Sequence, residues 1–248
     1  MSKIVLITGG GRGIGAATAR HLATLGYSIC INYKSNQQSA ESLLAELTAI
    51  GCNAIAIQAD VSVESEVVAL FEQIDNRLGP ITALVNNAGI LFQQTTVEHM
   101  TAERINKVLT TNVTSYFLCC REAIKRMATK NGGSGGAIVN VSSAASRIGA
   151  PNEYVDYAAS KGAIDTLTTG LSLEVAAQGM RVNCVRPGCI YTQMHADGGE
   201  PGRVDRLKDA IPMKRGGEPF EVANAIGWLL SDEASYVTGS FIDLAGGR

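Results

Sequence analysis

Seven short runs, apolar at nearly every position, alternate along the chain with longer stretches whose apolar residues recur every three and four positions. The runs are KIVLIT (residues 3–8), SICINY (28–33), NAIAIQ (53–58), ITALVNN (81–87), GAIVNVS (136–142), RVNCV (181–185) and SFIDL (240–244). Their length and β-branched content predict strands, and the segments between them predict helices. Several of these helices are closed by glycine, as in ATARHLATLG at Gly26 and ESLLAELTAIG at Gly51. Strands without polar alternation are expected where helices cover both faces of a parallel sheet. The pattern therefore predicts an α/β fold of three layers, with a doubly wound, seven-stranded parallel sheet in the middle. The rhythm breaks over residues 188–217, where DGGEPGR supplies few apolar anchors. That segment is expected to be a mobile flap with one short helix, late in the chain, where such folds place substrate contacts.

Composition narrows the picture. At 248 residues and 46% hydrophobic, the chain suits one domain spanning residues 1–248. Its 21 basic and 23 acidic residues nearly cancel, which removes any electrostatic reason to expect nucleic acid or an anionic membrane. A small-molecule partner is expected instead. The apolar runs are short and the chain opens almost directly on its first strand, so neither a spanning helix nor a signal segment is expected and a cytoplasmic location is. The six cysteines lie in apolar runs or beside loops with no C-x-x-C, and read as reduced thiols. His21, His99 and His195 are scattered, so neither a metal site nor a Ser-His-Asp triad has support.

The first strand runs into TGGGRGIG, followed by a helix from about Ile14. A strand, a glycine turn and a helix N-terminus make an anion cradle, because unpaired N–H groups and the positive helix end face one point. The spacing is G-x-x-x-G-x-G at Gly9, Gly13 and Gly15. An acid about 20 residues beyond such a loop suits the ribose 2′-hydroxyl of NAD, whereas a base suits a 2′-phosphate. Here INYKSN brings Lys34 with no acid until Glu41, and Arg12 adds a cation within the loop. NADP(H) is therefore expected over NAD(H).

Tyr157 and Lys161 are four apart in a segment of helical spacing, which puts them on one face. A tyrosine of ordinary pKa, about 10, is a poor proton-transfer group near neutrality. A neighbouring ammonium favours phenolate and is expected to lower that pKa. Tyr154 has Ala158 four residues on and reads as a packing or pocket-wall residue.

These parts together resemble the short-chain dehydrogenase/reductase family over essentially the whole chain. TGGGRGIG matches the family's loop at Thr8, Gly9, Gly13 and Gly15, and NNAG (86–89) matches its motif after the fourth strand. Asp60 in ADVS, Asn112 in TTNVTS, Tyr157 and Lys161 in YAASK, and Pro187, Gly188 and Thr192 in RPGCIYT complete the order. The resemblance implies a Rossmann fold and hydride transfer between nicotinamide and a carbonyl or alcohol carbon. It implies Ser143, Tyr157, Lys161 and Asn112 as catalytic residues. Tyr157 would exchange the proton, Lys161 would lower its pKa and hold the nicotinamide ribose, a serine would bond the substrate oxygen, and Asn112 would fix a relay water. The implied cofactor site comprises Gly9, Arg12, Gly13, Ile14, Gly15, Lys34, Asp60, Val61, Asn87, Gly89, Tyr157, Lys161, Pro187, Gly188, Ile190 and Thr192, with Asp60 meeting the adenine. A homotetramer is implied too, packed through the helices around Asn112 and Tyr157.

One departure concerns the serine. The family's catalytic serine usually lies thirteen residues before the tyrosine, a position held here by Ala144. One extra residue in SRIGAPNEYVD accounts for this and leaves Ser143 as the choice. Adjacent strand residues point to opposite faces, so Ser142 and Ser143 cannot both serve. The function expected is reduction or oxidation of a small polar substrate, either sugar-like or a 3-oxoacyl group on a carrier protein. Gln178 stands where carrier reductases tend to have a base, while Lys125 and Arg126 are candidates for meeting an acidic carrier. A non-catalytic NADP-binding sensor or scaffold is the alternative, and it typically lacks the tyrosine or the lysine.

Overall fold

The computed structural model describes residues 3–248. The elements follow in the order β1 (Ile4–Ile7), α1 (Gly13–Thr24), β2 (Ser28–Tyr33), α2 (Gln37–Ala49), β3 (Ala54–Gln58), α3 (Glu64–Arg77) and β4 (Ala83–Asn86). Then come α4 (Ala102–Leu109), α5 (Ser115–Met127), β5 (Gly136–Val141), α6 (Ala145–Ile148), α7 (Val155–Val175) and β6 (Met180–Pro187). The chain ends with α8 (Met194–Asp197), α9 (Arg203–Leu207), α10 (Pro219–Leu230) and β7 (Phe241–Leu244). All seven expected strands form. They make one parallel sheet in the order β3-β2-β1-β4-β5-β6-β7.

Successive residues of each strand serve opposite layers, which explains why the runs are apolar throughout. In β1, Ile4 and Leu6 join the core under α3, α5 and α7, built on Phe71, Ile74 and Val175. Val5 and Ile7 join the core under α1, α2 and α10, built on Leu22, Leu43 and Ile226. Within this layer, polar side chains of the strands and α7 join in a chain of hydrogen bonds. Asn86 Nδ2 donates to Asn140 Oδ1 at 3.0 Å, and Asn140 Nδ2 donates to Thr168 Oγ1 at 2.9 Å, all three residues being fully buried.

Three local features shape the site. The strand order reverses between β1 and β4, which opens a crevice at the strands' carboxyl ends. Thr110–Thr114, between α4 and α5, is a π-helical turn centred on Asn112, a form that often marks functional sites. The loop between α6 and α7 turns on Gly149, Ala150 and Asn152, at φ 74°, 45° and 62°. Two left-handed non-glycine residues in one loop are unusual. They lie in the segment between Ser143 and Tyr157, ahead of an unbroken α7.

The flap over residues 188–217 carries two short helices, α8 and α9, where the apolar pattern predicted one. Charge supplies what apolar anchors do not. Arg203 pairs with Glu153 (Nη1 to Oε1, 2.9 Å) and with Glu200 at 3.2 Å, Arg206 Nη2 bonds Glu200 at 2.9 Å, and Gln94 bonds Glu200 at 2.6 Å. The flap is thus strapped to the loops that follow β4 and precede α7.

Candidate active site

The glycine loop is a close-packed cradle. Gly9 and Gly13 have φ of 60° and 53°, a region side chains rarely adopt. A Cβ on Gly15 would lie 2.6 Å from the Gly9 carbonyl and 2.7 Å from Asn87 Nδ2. That amide nitrogen donates to the carbonyls of Thr8 and Gly9 at 2.9 and 3.0 Å, and Thr8 Oγ1 accepts from the N–H groups of Asn87 and Ala88. NNAG therefore stitches the end of β4 to the loop after β1. Helix α1 starts at Gly13 with no side-chain cap and no acid in its first turn, so its first N–H groups face the cleft unpaired. This donor set fits the diphosphate of a dinucleotide.

The cleft, about 550 Å³, is lined by Gly9, Arg12, Gly13, Ile14, Lys34, Asp60, Val61, Asn87, Gly89 and Thr192. Its two cations are already paired. Lys34 Nζ lies 2.5 Å from Asp60 Oδ2, and Arg12 Nη2 lies 2.5 Å from Asp197 Oδ2 on α8. Burial alone would raise the Asp60 carboxyl, but Lys34 and Ser62 hold it below the usual range. Lys34 is therefore not a free loop lysine.

A second cavity of about 430 Å³ adjoins the cleft, sharing Ile14, Asn87, Thr192 and Met194 with it. Ser143, Tyr157, Lys161, Pro187, Gly188 and Ile190 line it, beside Tyr154, whose ring lies under Arg203 at 5.1 Å. The serines separate as strand geometry requires. Ser142 is buried and donates to the Lys161 carbonyl at 3.0 Å, tying α7 to the sheet. Ser143 lies beside the Tyr157 hydroxyl and accepts from Ala145 N at 3.1 Å.

The electrostatics depart from the spacing-based expectation. Burial pushes the Tyr157 phenol up to about 12, opposed by the Ser143 hydrogen bond, so its pKa is raised rather than lowered. Lys161 does not offset that burial, because its ammonium is engaged elsewhere. Its Nζ lies 5.7 Å from the Tyr157 ring centre and bonds instead to the Val141 carbonyl at 2.7 Å and the Tyr116 hydroxyl at 3.2 Å. Burial pulls Lys161 itself down to about 8, against the opposing influence of Cys184 and Asp165.

Asn112 is buried beside Gly89, with both Nδ2 protons and one Oδ1 lone pair committed. Oδ1 accepts from Ile90 N at 2.8 Å, and Nδ2 donates to Ile90 O at 2.8 Å and to Ser160 Oγ at 3.1 Å. Tyr116, Asn32 and the flap charges were not singled out by any motif. Asn32 Nδ2 holds the Ala59 carbonyl at 3.0 Å, and only its place at the end of β2 hinted at a role. Among the described residues no cluster of His, Cys, Asp or Glu has metal-site geometry, and no helix is long and apolar enough to cross a membrane.

A switch-point crevice with a glycine cradle, opening onto a tyrosine-lined cavity, has the form of the dinucleotide sites of doubly wound α/β proteins. The family model described as enoyl-(acyl carrier protein) reductase matches residues 9–248. "Uncharacterized oxidoreductase YgfF" of Escherichia coli (strain K12) is 71% identical over 245 residues, 99% of each chain. "3-oxoacyl-[acyl-carrier-protein] reductase FabG" of Staphylococcus aureus is 34% identical over 247 residues, 100% of this chain and 98% of that protein. The crystal structure of levodione reductase superposes with a TM-score of 0.91 at 34% identity, covering 99% of this chain and 96% of that one. The chain belongs to the short-chain dehydrogenase/reductase family. It is an enzyme acting at a carbonyl or alcohol carbon, in a family that uses a nicotinamide cofactor.

Proposed function

We propose that the chain is an NADP(H)-dependent oxidoreductase acting on the carbonyl or alcohol carbon of a small polar substrate, with Tyr157 as general acid and base. The observation that carries this reading is that Tyr157, Ser143 and Lys161 together line the cavity that adjoins the glycine cleft. When bound, the nicotinamide supplies the hydride in reduction and accepts it in oxidation. Tyr157 gives its proton to the carbonyl oxygen in one direction and removes it from the alcohol in the other. Ser143 bonds the same oxygen and orients it, Lys161 holds the nicotinamide ribose, and the α1 N-terminus with Gly9, Gly13 and Gly15 holds the diphosphate. Asn112 Nδ2 has both protons committed, so a water that Asn112 fixes for the proton relay is held by an acceptor, the free lone pair of Oδ1 or the backbone carbonyl in the π turn.

The NADP(H) preference rests on Lys34 and Arg12 at the mouth of the cleft and on the missing acid after β2. A 2′-phosphate competes there with Asp60 for Lys34 and with Asp197 for Arg12. Of the two substrate classes, the 3-oxoacyl one is favoured by the staphylococcal relative's name. Against a carrier protein, Lys125 and Arg126 are both spent on Glu122, and Arg126 also on Asp75. This weighs toward a free, sugar-like substrate on one domain whose flap at about 188–217 sets the specificity. The sensor or scaffold alternative loses ground because the tyrosine and lysine are both present and together.

A panel of sugars, ketones and 3-oxoacyl thioesters with NADPH and NADH is expected to give turnover, with the lower Kd for NADPH. Tighter NADH binding overturns the cofactor preference, and binding without turnover of any substrate favours the sensor. We propose a homotetramer acting in the cytoplasm. Leu109, Phe117 and Leu173 are exposed on α4, α5 and α7, and Gly162 and Gly170 leave open space along α7 for a neighbouring helix. Light scattering is expected to give four times the chain mass, and a monomer at micromolar concentration contradicts it.

A further inference from the structure

We propose that Tyr116 is a positioning residue for Lys161: its hydroxyl and the Val141 carbonyl fix two of the ammonium's three protons and aim the third into the reaction site. This rests on the role given to Lys161 above. Tyr116 lies in the first turn of α5, directly after the π turn, and is 1% exposed. Its hydroxyl is 2.9 Å from Val141 O and 3.2 Å from Lys161 Nζ, which is itself 2.7 Å from the same carbonyl. The three atoms form a closed triangle joining α5, the end of β5 and α7.

The directions of these bonds are forced. A carbonyl only accepts and an ammonium only donates, so the phenol must donate to Val141 and accept from Lys161. Two ammonium protons are thereby committed to β5 and α5. Nζ also neighbours Gly89, where an added Cβ would stand 3.7 Å away; Gly89 lines the cleft and Lys161 the adjoining cavity. Both fixed acceptors are neutral. Around the pair, Tyr157 and Asp165 lie on α7, Cys119 and Cys120 on α5, and Cys184 on β6. Burial keeps the three thiols in the neutral form, and Asp165 is committed to Arg186 at 3.0 Å. Burial costs Lys161 part of its hold on the proton, and in this proposal the hydrogen bond to the Tyr116 hydroxyl, which favours the charged form, offsets part of that loss without bringing a charge.

The test reads Lys161 directly. In the full chain labelled with ¹³Cε-lysine, the Lys161 signal is identified by its loss in Lys161→Arg. Its titration midpoint is expected to fall by about one unit, a tenfold change in acid constant, in Tyr116→Phe. Tyr116→Met, which also lacks the acceptor, is expected to move it the same way and serves if the first variant does not fold. In wild-type chain labelled at tyrosine Cζ, one buried tyrosine signal is expected to shift in step with Lys161, a check that needs no folded variant. Equal midpoints in wild type and variant, or a wild-type tyrosine spectrum indifferent to Lys161, overturn the proposal. The alkaline limb of kcat/KM is expected to move with the midpoint. If wild type turns over no substrate while the midpoint still shifts, the proposed activity fails and the role of Tyr116 stands.

Discussion

Tyr157→Phe is expected to lower kcat by about 10²- to 10⁴-fold, the range general acid–base groups contribute, while cofactor affinity changes by about twofold or less. The substitution removes one hydroxyl and keeps the ring that lines the cavity. The glycine cradle and the Asn87 stitches that shape most of the cofactor cleft lie elsewhere, so losing one hydroxyl at the nicotinamide end is expected to cost binding far less than kcat. Steady-state kinetics beside a fluorescence titration of NADPH separate the two. A variant retaining a tenth or more of wild-type kcat would show that the proton comes from another group.

The second large effect divides the adjacent serines. Ser143→Ala is expected to cost about 10²- to 10³-fold in kcat, comparable with removing one donor to a developing oxyanion. Ser142→Ala is expected to keep most of its activity and lose stability instead. It gives up the hydrogen bond to the Lys161 carbonyl, worth about 1 kcal/mol, which appears as a lower Tm. Equal losses of kcat in the two variants, with equal Tm, would contradict the division of labour that the geometry assigns.

The fold was legible because each strand had to satisfy two apolar layers at once, leaving few ways to read SICINY or GAIVNV. That Tyr157 and Lys161 share one helix and line one cavity was legible for a similar reason, since helical spacing is local. What escaped was set by contacts distant in the chain. Lys34 meets Asp60 only because β2 and β3 pair side by side, and Tyr116 meets Lys161 only because two helices converge on the end of β5. The direction of the Tyr157 pKa failed in the same way. Spacing reveals a neighbouring charge, but not the burial that outweighs it or the acceptors that turn the charge aside. The second flap helix was missed because ion pairs to Glu153 hold it, where the reading relied on apolar periodicity.

The hydrogen-bonded line Asn86, Asn140, Thr168 has a bearing on how the chain reaches this fold. Apolar strands that fit both layers carry little information about alignment, because a slipped pairing still buries hydrocarbon. The amides supply that information. If β5 slid one residue along β4, Asn140 would turn into the opposite apolar layer and its hydrogen bonds to Asn86 and Thr168 would both be lost, leaving buried amides unpaired. The line works as a key cut into a greasy lock: a misaligned sheet forfeits its hydrogen bonds, and Tyr157, seated on the same helix as Thr168, is tied to the aligned register by it.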